Sequence, residues 1–560
     1  MLIHLRFFAI LSLTLLITPA YSYDPPPGIP DPVWGTFHPI DAVAPSQPPE
    51  WPSAAANNYY YVDNTHSSAT DSGNTFGYPN KPRVSLPETV FPAGTYVEIH
   101  GGPYTPGGQF IFTANGTEAE PVWIRGGDPA NKPIIKSETI PKGSYIVVEN
   151  LKWDSNKNTL GLRSHRGSTL HHLVIRNSEF AGPGTDVGNS GAISINGKSS
   201  SERFSNFVVY QNTIHDFGDD DNASENDYHG VIPSTNVDGV WILANTIFNM
   251  AGDSVQVGIA NTADKNRVSH IYVGDNVFHD DRENAVDVKE ADFVVVSDNL
   301  MYNYDVRDSS AGEVVIIHNN AANIWIINNI IHSGVYGVVS TAATNAWVAN
   351  NVIYNIHNST GFNANSFFSQ GAAVHFRSSA GGMLNNTIFD YDLGVQLATG
   401  TNYTMLNNVF INRSEPTGYD VGAGNPDIQH NSNFDFNHFY NEDAVNLTIL
   451  WGNPYTNLDN LQLTTGKCSS CSSGTDPLVE ITDQASLGST PFNSPLFGAG
   501  VSYNVIELQN NFQTAFGVTL NTDRLTNPRL TQTIDIGSFE YPQPTSLPNQ
   551  PTSLSVTVNN

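Results

Sequence analysis

One short phrase recurs through the middle of this chain: an apolar-x-apolar pair, two residues, an asparagine, then an apolar and an aromatic or histidine residue. Its asparagines are Asn177, Asn212, Asn245, Asn276, Asn299, Asn329, Asn351, Asn386 and Asn408, at steps of 35, 33, 31, 23, 30, 22, 35 and 22 residues. A unit of this size cannot bury its apolar side alone and is stable only when stacked on its neighbours. Steps near 22 that stretch to 35 suit coils of three short strands with insertions in the turns. Val255-Gln256-Val257, Val286-Asp287-Val288-Lys289 and Val374-His375-Phe376-Arg377 alternate with period two, which points apolar residues inward and polar ones outward. No long amphipathic helical stretch competes. An asparagine at a repeated corner tolerates the left-handed conformation, and its amide can stack on those of adjacent coils. Leucine-rich repeats lack their leucine pattern here, propellers their blade signatures, and a left-handed hexapeptide solenoid needs a shorter period. The expected fold is all-β: a right-handed parallel β-helix solenoid with an N-terminal cap and a C-terminal extension.

The ends divide the chain. His4 and Arg6, the apolar run Phe7 to Ile17 and the small-x-small triplet Ala20-Tyr21-Ser22 read as a secretory signal. The divisions expected are 1–22 signal peptide, 23–94 lead-in and cap, 95–440 parallel β-helix, 441–541 C-terminal coils and cap, and 542–560 a flexible Pro/Ser/Thr-rich tail. No later apolar stretch approaches the ~20 residues that span a bilayer. The two cysteines, Cys468 and Cys471, sit in a Ser/Gly-rich stretch without a βαβ context or further soft ligands, so a local disulfide in an oxidising compartment is expected. A secreted or periplasmic monomer follows. The formal charge of -29 argues against nucleic acid or an anionic membrane as partner. It also means that an anionic polysaccharide would have to be met locally by a cation or by the few Lys and Arg.

Side chains at matching positions of successive coils stack ~4.8 Å apart. Aligning Val255-Gln256-Val257, Val286-Asp287-Val288-Lys289, Val315-Ile316-Ile317-His318, Val374-His375-Phe376-Arg377 and Val395-Gln396-Leu397 in one phase puts Asp253 beside Asn284, with Glu283 and Asp287 nearby. The His318 coil can slip by one residue in this alignment, and the Val338-Val339-Ser340 coil is poorly phased. Lys289 points outward two positions from Asp287, His318 lies one coil on, and Arg377 lies three coils from Lys289, ~14 Å by the same spacing. Asp253, Glu283, Asn284 and Asp287 make an oxygen-rich cluster suited to Ca²⁺. Lys289 is unusual as a lysine amid acids, which raise its pKa; to act as a base it needs desolvation or a nearby cation. Asp219-Asp220-Asp221 and His229 read as a solvated insertion. Tyr302, Tyr304 and Tyr336 read as turn packing, with sugar stacking the alternative.

Two resemblances follow from these residues. The openings Asn58 to Thr65, Phe91 to Ile99 and Pro121 to Pro129 resemble the first coils of the pectate-lyase-like β-helix superfamily, and Asp535-Ile536-Gly537-Ser538-Phe539-Glu540-Tyr541 resembles the closing strand of exported members. The stretch Glu283 to Lys289, with Val294 to Asn299 after it, looks like the catalytic coil of the β-helical chondroitinase B and alginate lyase family. That resemblance implies Lys289 as base, Glu283 and Asn284 as calcium ligands and Asp253 as the ligand from the preceding coil. An Asn replaces one acid, and His318 stands roughly where that family has an arginine. The same acids also resemble the calcium site of β-helical pectate lyases, with Asp253, Glu283, Asn284 and Asp287 in the four ligand positions but without the expected later-coil lysine.

The function expected is a secreted polysaccharide lyase that cleaves an acidic polysaccharide by calcium-assisted β-elimination, with Lys289 and His318 at the reacting centre and Arg377 at a further subsite. A β-helical glycoside hydrolase using a pair among Asp280, Asp281 and Asp287 is the alternative, as are an epimerase sharing the same proton abstraction and a non-catalytic carbohydrate-binding solenoid.

Overall fold

The computed structural model describes residues 26–32, 34, 58–479, 494–501, 512, 522–524, 529 and 534–540, with breaks inside 58–479 at 155–160, 165–168, 186–189, 198–202, 219–226, 261–265, 308–309, 360–370, 378–379 and 443–445. The segment 1–22 expected to be a signal peptide, the Asp219-Asp220-Asp221 run and the expected tail 542–560 lie outside the described residues.

The chain winds as a right-handed parallel β-helix with three faces. On the first, Val255–Val257, Val286–Lys289, Glu313–His318, Tyr336–Thr341, Val374–Arg377, Val395–Leu397 and Val421–Ala423 pair successively in parallel. On the second, Val237–Leu243, Ser269–Gly274, Asp292–Ser297 and Ala322–Ile327 do the same. The third is, among the described residues, a thirteen-stranded ladder that includes Thr246–Met250, Val277–His279, Leu300–Tyr304 and Ile330–Gly334. Each strand's inward residues stack in columns: Val255, Val286, Val315, Val338, Val374, Val395 and Val421 are all fully buried. Burial of such branched side chains contributes roughly 1.5–3 kcal/mol each, so the in/out alternation fixes each coil's phase. The His318 coil does not slip, and Val338 falls in phase between Val315 and Val374.

The asparagine column follows the second face. Asn212, Asn245, Asn276, Asn299, Asn329, Asn351, Asn386, Asn408 and Asn437 form one buried file in which each Nδ2 donates to the Oδ1 of the next at 2.9–3.1 Å, Asn408 to Asn437 being the last. Each backbone N–H gives to the same oxygen, for example Asn299 N to Asn329 Oδ1 at 2.9 Å. Asn177 is not a rung: it is one residue early, and Ser178 takes its place by donating its N–H to Asn212 Oδ1. The left-handed residue is also not the ladder asparagine but the one before it, such as Asn177 (φ 51°), Ala244 (φ 54°) and Asp298 (φ 57°). The ladder amide must point inward along the axis, and the chain reverses just before it.

The helix begins at Tyr59–Asp63, paired with Tyr96–His100, under a lid of Tyr60, Phe76 and Phe91. Pro26 to Pro30 run across the outside of the second face, where Trp241 Nε1 donates to Pro30 O and Ser297 Oγ to Pro27 O. Gly28 (φ 83°) passes so close there that a Cβ would meet Phe512 at 2.6 Å. The far end closes with the antiparallel strand Asn453–Tyr455, the helix Leu458–Thr465 and the disulfide Cys468–Cys471. Residues 535–540 do not form the closing strand that their sequence suggests. They lie along the flank, bonded to Asn385 and Thr387 on one coil and to Asn407 on the next, because Ile536 and Phe539 find apolar partners there in Val409 and Val352.

Candidate functional site

The first face carries the polar outward residues. Val286–Lys289 pairs residue for residue with Val315 to His318, so Lys289 stands level with His318 and Asp287 with Gln256 on the preceding coil. Asp287 Oδ2 receives Lys289 Nζ at 2.7 Å, and its Oδ1 lies 2.7 Å from His318 Nε2. Lys289 Nζ also donates to Gln256 Oε1 at 3.2 Å. Burial works against the charged form of Asp287, but the His318 hydrogen bond and the Lys289 charge outweigh it and hold its pKa below the ordinary carboxyl range. Burial pulls the Lys289 pKa down, and the charges of Asp287 and Asp253 more than reverse that, so it stands as a firm ammonium.

A second group lies toward the start of the same strands. Val231 pairs with Val255, which brings His229, two residues earlier, level with Asp253. His229, Asp253 and Glu283 offer one nitrogen and two carboxylate groups whose ligand atoms all lie within 4.8 Å of one another. All three are buried. His229 is therefore a wall residue of the site rather than part of a solvated insertion: Tyr228–Pro233 is a strand, and the Gly230 and Val231 N–H groups bond the Asp253 and Ser254 carbonyls. Its sequence signal, the Val231 that stays in phase with Val255, is outweighed by the acidic run just ahead of it. Asp253 Oδ1 accepts the Asn284 N–H at 3.1 Å, while Asn284 Nδ2 donates to Glu313 O at 2.6 Å. Burial and then the Asp287 charge raise the Asp253 pKa well above the usual carboxyl value, and Lys289 offsets this only in part. Burial lowers that of His229.

The four expected calcium ligands thus fall into two groups. Asp253, Glu283 and Asn284 adjoin, whereas Asp287 turns both oxygens to Lys289 and His318. The alternative carboxylates fare differently: Asp281 is buried, accepting from Ser254 Oγ at 2.5 Å and Tyr304 OH at 2.8 Å, and Asp280 lies at the exposed third-face corner beside His279. Tyr304 is thus a corner residue, and Tyr302 is sandwiched between His279 and His332 at 4.9 and 5.0 Å, leaving no ring face for a sugar. Arg377 is level with Thr341, three coils from Lys289, and its Nε donates to His375 Nε2 at 3.1 Å. Burial and then the Arg377 charge push the His375 pKa down to about 3, which keeps its ring neutral. Tyr336 stacks on it at 5.7 Å, its own pKa pushed up to about 12 by burial. Among the described residues no helix is long and apolar enough to cross a membrane.

No protein-family model matches the chain, and no curated protein does. Among solved structures, the GH136 lacto-N-biosidase from Eubacterium ramulus is similar over 68% of this chain and 67% of its own at 14% identity, with a TM-score of 0.39. The PL6 family alginate lyase AlyGC is similar over 68% of this chain and 53% of its own at 14% identity, TM-score 0.36. The alginate lyase AlyF-OU02 in complex with G6 is similar over 75% of this chain and 98% of its own at 10% identity, TM-score 0.41. The fold assignment rests on the strand pairing described above, not on these likenesses.

Proposed function

We propose that this protein is an exported, monomeric polysaccharide lyase that cleaves a uronic-acid-containing chain by β-elimination on the first face. The observation that carries this reading is the single carboxylate, Asp287, shared at 2.7 Å by an ammonium and an imidazole on adjacent coils. Elimination needs a positive group at the C6 carboxylate, where charge develops, and a base at C5. Lys289, held protonated, supplies the first. His318 supplies the second: with Nε2–H donated to Asp287, its Nδ1 carries the lone pair, much as a carboxylate fixes the tautomer of a catalytic histidine elsewhere. The C5 proton passes to Nδ1, the C4–O bond breaks, a C4=C5 double bond forms, and the departing oxygen takes its proton from the imidazolium or from water. This assignment differs from the lysine base expected from sequence, since Asp287 opposes the loss of a proton from Lys289.

Calcium, which the resemblance implies, takes ~6–8 oxygen ligands. Here Asp287 is committed to Lys289 and His318, while Asn284 bonds the Glu313 carbonyl through Nδ2 and not through Oδ1, the atom that calcium takes. Asp253, Glu283 and Asn284 are the residues that would hold calcium, which would supply positive charge beside the C6 carboxylate, and no step is assigned to it.

The test is incubation with a panel of polyuronates and glycosaminoglycans, following the ultraviolet absorbance of the unsaturated product. His318→Ala and Lys289→Ala should each lose ~10²–10⁴-fold in kcat, while Lys289→Arg, still a cation, should keep a measurable part. Equal loss in Lys289→Arg and Lys289→Ala would return the base to Lys289. New reducing ends without that absorbance would replace the lyase by a hydrolase, and no cleavage at all by a binding protein.

A further inference from the structure

We infer that the corner between the second and third faces, around Arg125, Lys132 and Arg176, binds a short stretch of an acidic polysaccharide, apart from the reacting centre on the first face. The left-handed corner residues form an outward column: Asn150 (φ 55°), Asn177 (φ 51°), Gln211 (φ 53°), Ala244 (φ 54°) and, further along, Asn350, Asn385 and Asn407 (φ 58°, 53° and 59°). Each stands one residue past its second-face strand. Toward the C-terminal end this column bonds the backbone of later segments of the same chain. Asn350 Nδ2 donates to Thr522 O at 3.2 Å and Asn385 Nδ2 to Asp535 O at 3.0 Å, while Asn407 exchanges two bonds with Val501, both at 3.1 Å. The column can thus hold a polar chain laid against successive coils. At its N-terminal end the same positions, Asn150, Asn177 and Gln211, line an open cavity of about 530 Å³ together with the three cations.

The charge of this cavity sets it apart from the rest of the molecule. Lys and Arg number 24 against 53 Asp and Glu in the chain, yet the wall holds Arg125, Lys132 and Arg176 against Glu149 and Glu179. Glu149 is buried between two guanidinium groups, its Oε1 2.8 Å from Arg125 Nε and its Oε2 2.6 Å from Arg176 Nε. One carboxylate cannot neutralise both, and it fixes them in place. Glu179 faces Lys152 at 2.5 Å. Lys132 makes no ion pair among the described residues, and Asp128, at the start of the same turn, accepts from the Ala130 N–H at 2.9 Å and the Asn131 amide at 2.7 Å. A positive wall with side-chain amides suits a ligand bearing both carboxylates and hydroxyls, because guanidinium groups bind carboxylates strongly and amides both give and accept hydrogen bonds. Rungs ~4.8 Å apart are comparable with one sugar unit of an extended glycan. Ala244, which offers no polar side-chain atom, ends the run, so the site spans about three units. The inference rests on the elimination reading only for the choice of an acidic glycan as ligand.

The experiment titrates the full chain in a calorimeter, as its His318→Ala variant so that nothing is cleaved. The probes are hexasaccharides of polygalacturonate, alginate and hyaluronan, with cellohexaose as the neutral control. At ~0.15 M salt the Debye length of ~8 Å confines each charge to its own surroundings. At least one acidic hexasaccharide should occupy a site that Lys132→Gln combined with Gln211→Ala weakens about tenfold, while Lys132→Arg keeps it. Both residues lie outside the Glu149 cluster, so the melting temperature should not change; if the double variant fails to fold, Lys132→Gln alone decides. Two molecules bound per parent chain and one per variant are expected. One per parent and none per variant would keep the corner site and remove the ligand from the first face, which separates this inference from the elimination reading. Equal binding in parent and variant, no binding of any acidic hexasaccharide, or equal binding of cellohexaose would overturn it.

Discussion

Asp287 and His318 sit on adjacent coils and meet at 2.7 Å, Oδ1 to Nε2, while the other oxygen of the same carboxylate holds Lys289 at an equal distance. The coil spacing makes this possible: in a parallel ladder an outward Asp at one position and an outward His two places along the next strand are diagonal neighbours. The carboxylate therefore couples the two groups that the elimination reading needs. Asp287→Asn keeps the shape and removes the charge. We expect kcat to fall ~10²–10⁴-fold with the circular dichroism spectrum unchanged, because the amide cannot enforce the His318 tautomer. Near-normal turnover in a folded Asp287→Asn protein would remove Asp287 from the mechanism.

The asparagine file is a distributed source of stability. In Asn299 the side-chain amide donates to Val273 O, Ser297 O and Asn329 Oδ1, and its own Oδ1 accepts from Asn276. Asn299→Ala would strip partners from buried groups on both neighbouring coils, so a loss of ~1–3 kcal/mol is expected from denaturant unfolding. A cost within error of zero would show that water enters and replaces the amide.

The fold was legible because two independent periods coincide: the alternation that phases Val255, Val286, Val315, Val374 and Val395, and the spacing of the asparagines. The site was legible only where it obeys the same alternation. Gln256, Asp287, Lys289, His318 and Arg377 all fall on outward positions as their strands require. His229 obeys it too, but the acidic insertion before it hides the strand start. Which way Asp287 turns could not be read at all, since Asn284 lies just before its strand and His318 on the next one, and only side-chain geometry chooses between them. The left-handed corner was misassigned by one residue for a related reason: Asn177, Asn328, Asn350, Asn385 and Asn407 are themselves asparagines next to the ladder position, so two different demands select the same residue type in adjacent places.

A pH dependence of stability is expected from the third-face corner. Hydrogen bonds that the imidazole donates to Asp390 and then to Asp392 raise the His357 pKa to about 9, burial opposing them. Raised above the value of an unfolded chain, ~6.5, this pKa means that the folded state binds the proton more tightly. The contribution is complete below about pH 6.5 and is lost as pH climbs through 9. The imidazole is about one-third exposed, so solvent screening keeps the effect modest. Melting temperatures between pH 6 and 10 should fall less in His357→Gln than in the wild type over that window. Parallel profiles would show that the pair adds nothing.

Arg377 tests how far the reacting centre extends. It shares the outward column of Lys289 and His318 but lies three coils from Lys289, ~14 Å by ladder spacing. A group at that distance cannot touch the bond that Lys289 and His318 act on, yet it can hold the carboxylate of a sugar further along the same chain. Its guanidinium is oriented by a neutral acceptor, His375, whose low pKa keeps the ring from repelling it across the working pH range. Arg377→Ala should therefore raise KM about tenfold on long substrates, with kcat little changed, because it removes binding made equally in ground and transition states. On a fragment too short to reach both positions the variant and the wild type should be alike. A fall in kcat of the size expected for His318→Ala, on long and short substrates equally, would place Arg377 at the reacting centre and require the polysaccharide to bend across the coils rather than run along them.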